Sequence, residues 1–167
     1  MARRTRGAAA GQKPRLPVSR AMYLSPIGPL EVLGTEAGIL LIEFADGKTV
    51  PTDPPAPCLE ECLRQLDEYF GGTRREFSIP LDLRGTPFQK SCWSELLKVP
   101  FGRTTTYRDI ALALKKPGAT RAVGGANHRN PVSIVVPCHR VIGSDGSLTG
   151  YGGGLWRKEW LLAHERR

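Results

Sequence analysis

The chain has 167 residues, of which 40% are apolar and 24% are charged, a composition typical of a soluble globular protein. No apolar stretch approaches the length of a membrane span, and no apolar segment follows the charged N-terminus, so we expect neither a membrane anchor nor a secretory signal. The four cysteines are expected to be reduced thiols rather than a disulfide framework, which favours a cytoplasmic, nucleoid-associated protein.

The charge is distributed in three blocks. Residues 1–20 carry a net charge of +6, residues 21–83 carry −7, and residues 84–167 carry +9, giving the whole chain a net charge of +8. A strongly basic segment favours a polyanionic partner such as nucleic acid. Taken alone, the same charge is equally consistent with a solvated basic surface.

The first two blocks predict an arm and a small domain. Residues 1–20 have almost no large apolar side chains and are expected to be a disordered basic arm. Residues 21–83 are expected to form three strands and one helix, because short apolar runs alternate with turn residues before a stretch with helical spacing. The predicted strands are Ala21–Ser25, Leu30–Leu33 and Gly38–Phe44, and the predicted helix is Cys58–Phe70.

Residues 84–167 predict a helical domain with one strand. A helix beginning at Thr86-Pro87 is followed by two short helices around a Pro-Gly turn, which resembles a helix-turn-helix. An apolar run is expected to be a strand that carries a cysteine, and a terminal amphipathic helix follows a Gly-rich loop. The two short helices are Tyr107–Leu114 and Thr120–Ala126, the strand is Ile134–Ile142, and the last helix is Leu155–Glu165.

Cys138 is the candidate nucleophile. Pro137 before it restricts the backbone and presents the cysteine rigidly, which suits a group whose attacking atom must be well placed. A buried, inert cysteine is the alternative.

The neighbouring His139 suggests a protease-like pair, but adjacent side chains on an extended chain point apart. A bridging water with a carboxylate behind the imidazole could still connect them, and Glu165 is a candidate for that carboxylate, although a solvent-exposed role for it is the simpler reading.

Several motifs together resemble the O6-alkylguanine-DNA alkyltransferase family. The resemblance is continuous from about Phe88 to Glu165, and it is loose in the acidic segment. The motifs are Pro100-Phe101-Gly102, Thr106-Tyr107, Arg121-Ala122-Val123-Gly124-Gly125-Ala126, Asn130-Pro131-Val132, Val136-Pro137-Cys138-His139-Arg140-Val141, Gly152-Gly153-Gly154-Leu155 and Lys158-Glu159-Trp160-Leu161-Leu162.

The resemblance implies an α/β fold. A small N-terminal antiparallel sheet-plus-helix domain, ribonuclease H-like, would precede a C-terminal winged helix-turn-helix-like domain that carries the reactive cysteine. The implied activity is DNA repair by direct reversal: an alkyl group moves once and irreversibly from O6 of guanine to Cys138, with O4 of thymine as a second substrate. No cofactor and no metal are implied, since Cys58 and Cys62 have no histidine nearby and are expected to pack.

The resemblance also implies catalytic roles. Glu165, His139 and a water would help to form the Cys138 thiolate, Asn130 would brace the turn before the cysteine, and Tyr107 would donate a hydrogen bond to the leaving base. The substrate pocket would be formed by Val141, Tyr151, Gly152 and Lys158. Ser133 and Gly152 replace a proline and a serine found in some relatives, which leaves the accepted alkyl groups open.

The implied partner is double-stranded DNA, entered through the minor groove. Arg121 would fill the space of the extruded nucleotide, and small residues would let a helix approach the backbone. The DNA-binding residues would be Arg121, Gly124, Gly125, Ala126 and Thr106. We expect a monomer in solution, with cooperative binding on DNA left open.

Two alternative functions remain. One is a damage sensor that does not transfer the alkyl group, which the presence of Cys138 disfavours, and the other is a helix-turn-helix regulator.

Overall fold

The computed structural model describes residues 16–49 and 54–167. The first part is an antiparallel sheet of three strands in the order β1–β2–β3, with one helix packed on it. The elements are β1 (Ser19–Ser25), β2 (Gly28–Thr35), β3 (Gly38–Phe44) and α1 (Pro57–Phe70). The predicted strands and helix are confirmed. Ser19 and Arg20 lie in β1, so the predicted arm extends two residues too far, and the rest of the arm lies largely outside the described residues.

Helix α1 covers the sheet with one apolar face. Leu59, Cys62, Leu66 and Tyr69 recur at helical spacing, and all four are buried. The outer edge of β3 is also covered. Ile39 pairs with the extended segment at Leu81, and Ile42 pairs with Val132 of the second half of the chain. These pairings leave little of the β3 edge open and join the sheet to the segment that precedes Cys138.

The second part contains four helices and two very short strands. These are α2 (Pro87–Leu97), β4 (Thr105–Thr106), α3 (Tyr107–Ala113), α4 (Thr120–His128), β5 (Val141–Ile142) and α5 (Leu155–His164). Thr86 and Thr106 begin α2 and α3 with reciprocal capping bonds to Gln89 and Asp109. A single 3₁₀ turn at Pro117–Ala119 joins α3 to α4, so the predicted pair of helices around a tight turn is present.

The predicted strand over Ile134–Ile142 is wrong. Within this range only Val141 and Ile142 form a strand, which pairs in parallel with Thr105 and Thr106, and Val136 makes an isolated bridge to Ser133. Upstream, Ile134 has a φ of 74°, and Pro137 adopts the φ and ψ of an inverse γ-turn (−82° and 64°), closed by a hydrogen bond from the Cys138 N–H to the Val136 carbonyl. Residues Cys138–Arg140 form a 3₁₀ turn. An apolar run that is buried in turns is indistinguishable from a buried strand by its pattern alone.

Arg157 of α5 connects the two parts of the chain. Its buried guanidinium donates to the Ile27 carbonyl at 2.7 Å and makes two bonds to Asp46, at 2.7 and 2.9 Å. At the other end of α5, the His164 imidazole is bonded to the Tyr69 carbonyl at 2.8 Å. The two parts therefore share an interface fixed by buried polar contacts. Among the described residues, none of the helices is long and apolar enough to cross a membrane.

The packing of α1 on the sheet gives a test of the fold. We expect Leu66→Ala to lower the free energy of unfolding by about 2–5 kcal/mol, because Leu66 is fully buried and its truncation leaves a cavity. Urea denaturation measures the change. The matched control is Leu24→Ala, since Leu24 is 69% exposed and its loss should change stability by no more than about 0.5 kcal/mol. Equal losses from both variants would contradict the packing described.

Candidate functional site

Cys138 is held in a rigid, buried position. It is 5% exposed, and the turns on either side of it fix its backbone. The Asn130 amide donates to the Val136 carbonyl at 2.7 Å and accepts from the Val132 N–H at 3.0 Å, so one side chain ties together both ends of the turn before the cysteine. Burial raises the pKa of the Cys138 thiol, although a hydrogen bond with Asn130 and the charge of Lys158 oppose this. The free protein therefore holds a neutral thiol.

The next side chain, His139, is bonded to a buried carboxylate. Its Nε2 lies 2.7 Å from Oε1 of Glu165, and the two residues are 0% and 3% exposed. The solvent-exposed alternative for Glu165 is wrong, because the end of α5 turns into the core. Both imidazole and carboxylate come from the positions that the sequence singled out.

Three further groups donate to the Glu165 carboxylate. Arg140 makes two bonds, at 2.8 and 2.9 Å, the Tyr69 hydroxyl donates at 2.8 Å, and the Gly102 N–H donates at 3.3 Å. Burial opposes ionisation of Glu165, but the hydrogen bonds from His139 and Arg140 hold its pKa well below the usual range. Glu165 is therefore a permanent anion, and only Arg140 compensates it with a full charge among these donors.

The ionised carboxylate determines the tautomer of His139. Because Glu165 can only accept, Nε2 of the imidazole carries the proton and Nδ1 keeps its lone pair. Burial lowers the pKa of His139 below its ordinary value despite the bond to Glu165, so the ring is neutral at physiological pH. Nδ1 is buried and has no hydrogen-bond partner among the described residues. A neutral imidazole with a free lone pair is a general base beside the cysteine.

Cys138 opens into a cavity of about 170 Å³. Its wall includes side chains from β3, from the end of α4 and from the loop before α5. The lining residues are Glu43, Phe44, Asn127, His128, Asn130, Ser133, Cys138, Gly150, Tyr151, Gly152 and Gly153. The Tyr151 hydroxyl and the Asn127 side-chain oxygen are buried and have no hydrogen-bond partner within residues 16–49 and 54–167. A cavity with unused polar groups beside a thiol suits a flat, polar ligand.

Lys158 and Tyr107 shape the loop at the mouth of this cavity. The fully buried Lys158 ammonium donates to the carbonyls of Val141 and Thr149, at 2.5 and 2.8 Å. The Tyr107 hydroxyl donates to the same Thr149 carbonyl at 3.1 Å. Tyr151 and Gly152 line the cavity, whereas Val141 and Lys158 do not line it, and their link to the loop is the Lys158 ammonium bound to the Val141 and Thr149 carbonyls. Thr106 is the cap of α3, and its hydroxyl is engaged with Asp109.

Helix α4 presents part of the predicted DNA-binding set to solvent. Arg121 is exposed, and Gly124 and Gly125 are half-buried. A Cβ at Gly125 would meet nothing closer than an Arg129 nitrogen at 3.8 Å, so packing within the protein does not require this glycine. Ala126 differs from the expectation. It is 3% exposed and its carbonyl accepts from the Trp93 indole at 2.9 Å, so it belongs to the core.

Several site residues were not found from the sequence. Arg140 stands within the cysteine motif, and a cation beside a candidate catalytic histidine was a usable signal. Tyr69 and Phe44 lie far away in the chain, and nothing in their own segments links them to Cys138.

The other cysteines lack the cavity and the neighbouring histidine that surround Cys138. Burial raises the pKa of Cys62 to about 12. No cluster of three metal-ligating side chains occurs in the described ranges.

Comparisons with known proteins agree with this geometry. Residues 18–83 match the family model "6-O-methylguanine DNA methyltransferase, ribonuclease-like domain", and residues 87–167 match "6-O-methylguanine DNA methyltransferase, DNA binding domain". The expected two-domain α/β architecture is confirmed, with a ribonuclease-like domain followed by a DNA-binding domain.

Individual relatives cover most of the chain. The methylated-DNA--protein-cysteine methyltransferase of Methanosarcina barkeri is 49% identical over 147 residues, which are 84% of this chain and 92% of the relative. The crystal structure of the Mycobacterium tuberculosis O6-methylguanine methyltransferase has a TM-score of 0.82 at 44% identity, covering 90% of this chain and 93% of that one. The structure of the Mycobacterium tuberculosis protein in complex with DNA has a TM-score of 0.80 at the same identity, covering 88% and 92%. The chain belongs to the methylated-DNA--protein-cysteine methyltransferase family, the O6-alkylguanine alkyltransferases.

Proposed function

We propose that this protein binds DNA and repairs O6-methylguanine by transferring the methyl group once and irreversibly to Sγ of its own Cys138. The observation that carries the assignment is the Cys138 thiol at the base of a polar cavity, beside a neutral histidine whose free nitrogen is buried. Family membership supports the reaction class. The other three cysteines lie outside this cavity, which supports Cys138 as the acceptor.

The proton of Cys138 leaves through His139. A water molecule relays it from Sγ to the free Nδ1, and the resulting imidazolium is stabilised by the permanent negative charge of Glu165. The thiolate then attacks the methyl carbon. The S–C bond forms as the C–O6 bond breaks, and the guanine keeps the electron pair. Tyr107, released from the Thr149 carbonyl, donates a hydrogen bond to the base as this charge develops. The step needs no cofactor.

The target base must leave the duplex to reach the buried sulfur. Extrusion costs roughly a few kcal/mol, and an inserted side chain that fills the gap offsets part of it. The exposed Arg121, at the second position of α4, is placed for this role, and the open surface over Gly124 and Gly125 lets the helix approach the sugar–phosphate backbone. We infer that α4 enters the minor groove of double-stranded DNA, with the +9 charge of residues 84–167 supplying sequence-independent attraction.

The proposed chemistry extends to O4-alkylthymine, in which the alkylated oxygen is bonded to a ring carbon beside a ring nitrogen, as in O6-alkylguanine. Reduced cysteines and a DNA substrate support action in the cytoplasm at the nucleoid. A single molecule holds every group named above, which supports a monomer as the active unit.

Substitution of the acceptor tests the central assignment. Cys138→Ala should abolish methyl transfer while binding of an O6-methylguanine duplex is retained, because the alanine leaves the cavity and the helix α4 surface in place. Intact-mass analysis after mixing with the duplex measures the transfer, and fluorescence anisotropy measures the binding. The control is Cys58→Ser, a half-buried cysteine on α1, which should still gain one methyl group. A methylated Cys138→Ala protein would contradict the assignment.

The pH dependence tests the proton relay. Because the pKa of His139 is lowered from 6.5, the neutral ring dominates above that pH, and the single-turnover rate should be flat from about pH 7 to 9. The rate should fall only at a more acidic pH, below 6.5, where His139 with its lowered pKa becomes protonated. In His139→Gln the thiolate must form unaided from a thiol of raised pKa, so the rate should increase about tenfold for each pH unit over the same range. A parallel increase in the wild type would exclude the relay.

Two variants that each remove one positive charge test the role of Arg121 in base extrusion. Arg121→Ala should slow repair of an O6-methylguanine duplex by about tenfold or more, because an unfilled gap makes the flipped state less stable. Transfer from a single-stranded oligonucleotide should change much less, since no stacked partner must be replaced. Lys98→Ala removes another exposed positive charge, which is paired with Glu95 at the C-terminal end of α2, and should leave the ratio of the two rates unaltered. Single-turnover kinetics on both substrates give this ratio, and an unchanged ratio in Arg121→Ala would refute the role.

A further inference from the structure

The N-terminal domain contributes a wall to the cavity of the reactive cysteine. Phe44 is the last residue of β3, and its half-buried side chain lines the same cavity as Cys138 and Tyr151. Its ring meets the Tyr151 ring edge-on, with centroids 6.3 Å apart and an interplanar angle of 68°. An aromatic pair thus forms part of the cavity wall. Tyr151 of this pair belongs to the C-terminal domain, and Phe44 belongs to the N-terminal domain.

Arg157 fixes the Phe44 ring. The guanidinium carbon lies 4.1 Å from the centre of the ring, and the same guanidinium donates to the Gly153 carbonyl at 3.0 Å. Its remaining bonds are to Asp46 and to the Ile27 carbonyl. A planar cation whose edge and face are both in contact with other groups has little conformational freedom. Arg157 therefore fixes the position of the Phe44 ring relative to the loop at Gly153.

The loop packs directly on the ring. A Cβ placed on Gly153 would lie 2.5 Å from Cδ2 and 2.7 Å from Cε2 of Phe44, so only glycine allows this approach. On the other side, β3 is bonded to the segment before Cys138: the Ile42 N–H donates to the Pro131 carbonyl and the Ile42 carbonyl accepts from the Ser133 N–H, both at 2.9 Å. Backbone hydrogen bonds therefore fix the end of β3 relative to the cysteine segment, and Arg157 fixes the Phe44 ring on that strand.

We infer that Phe44 is a specificity-determining residue, which limits the size of the alkyl group that can be presented to Cys138. This inference rests on the proposed function. The cavity of about 170 Å³ is small, and the ring occupies a boundary that is independent of the thiol, the imidazole and the α4 surface. A change of side-chain volume at this position alters the space for the alkyl group without altering the groups that perform the transfer.

Two substitutions of opposite volume test the inference. Transfer rates are measured by intact mass on duplexes that carry O6-methylguanine or O6-benzylguanine. Phe44→Leu should raise the ratio of the benzyl rate to the methyl rate by about tenfold, the usual effect of a small volume change in an apolar pocket, and Phe44→Trp should lower it. The ratio is the readout, since a general loss of stability would slow both reactions alike.

A matched control separates cavity size from aromatic packing. Phe88 is also half-buried with a cation over its ring, Lys116 at 5.3 Å, but it lines a different cavity, so Phe88→Leu should leave the ratio unchanged. The affinities of Cys138→Ala for the two duplexes, with and without Phe44→Leu, report the size limit independently of transfer. No methyl transfer by the wild type would contradict the proposed function, whereas unchanged rate and affinity ratios in the Phe44 variants would overturn the role of Phe44.

Discussion

The buried Glu165 carboxylate gathers hydrogen-bond donors from both domains of the protein. An ionised carboxylate in a protein interior is costly unless charge and hydrogen bonds compensate it. Here the donors come from α1, from the loop after α2 and from the turn that carries the cysteine, through Tyr69, Gly102, His139 and Arg140. The carboxylate is satisfied only when all of these elements are in place. The same contacts that stabilise the charge therefore bring both domains to the reactive site.

The cysteine is a neutral thiol in the free protein and becomes a thiolate only for the reaction. Burial keeps Cys138 as a neutral thiol, which is a weaker nucleophile than a thiolate, and keeps His139 uncharged and therefore able to accept the thiol proton. The permanent charge on Glu165 fixes the imidazole in the tautomer that can accept a proton. A protein that uses its cysteine once benefits from a thiol that is protected until a base enters the cavity, because an exposed thiolate is open to oxidation.

The N-terminal domain does more than support the site. The edge of β3 is hydrogen-bonded to the segment before Cys138, Tyr69 donates to Glu165, and Phe44 lines the cavity. Buried polar contacts of Arg157 and His164 hold this interface together. The loose resemblance of the acidic segment gave no indication of these contributions, since each of them is a contact between residues distant in the chain.

Most of the secondary structure, the family resemblance and the central residues Cys138, His139 and Glu165 could be predicted from the sequence. Strand alternation, helical spacing and capping residues are local, and a motif such as Pro137-Cys138-His139 carries its chemistry in a few adjacent positions. It predicted a strand through Cys138 because burial in turns produces the same apolar pattern, and it did not reveal that Ala126 is in the core. Three features came only from the folded structure: Arg140 and Tyr69 share Glu165, Nδ1 of His139 has no hydrogen-bond partner among the described residues, and Phe44 reaches the cavity. These are properties of long-range packing, which neither spacing nor composition encodes.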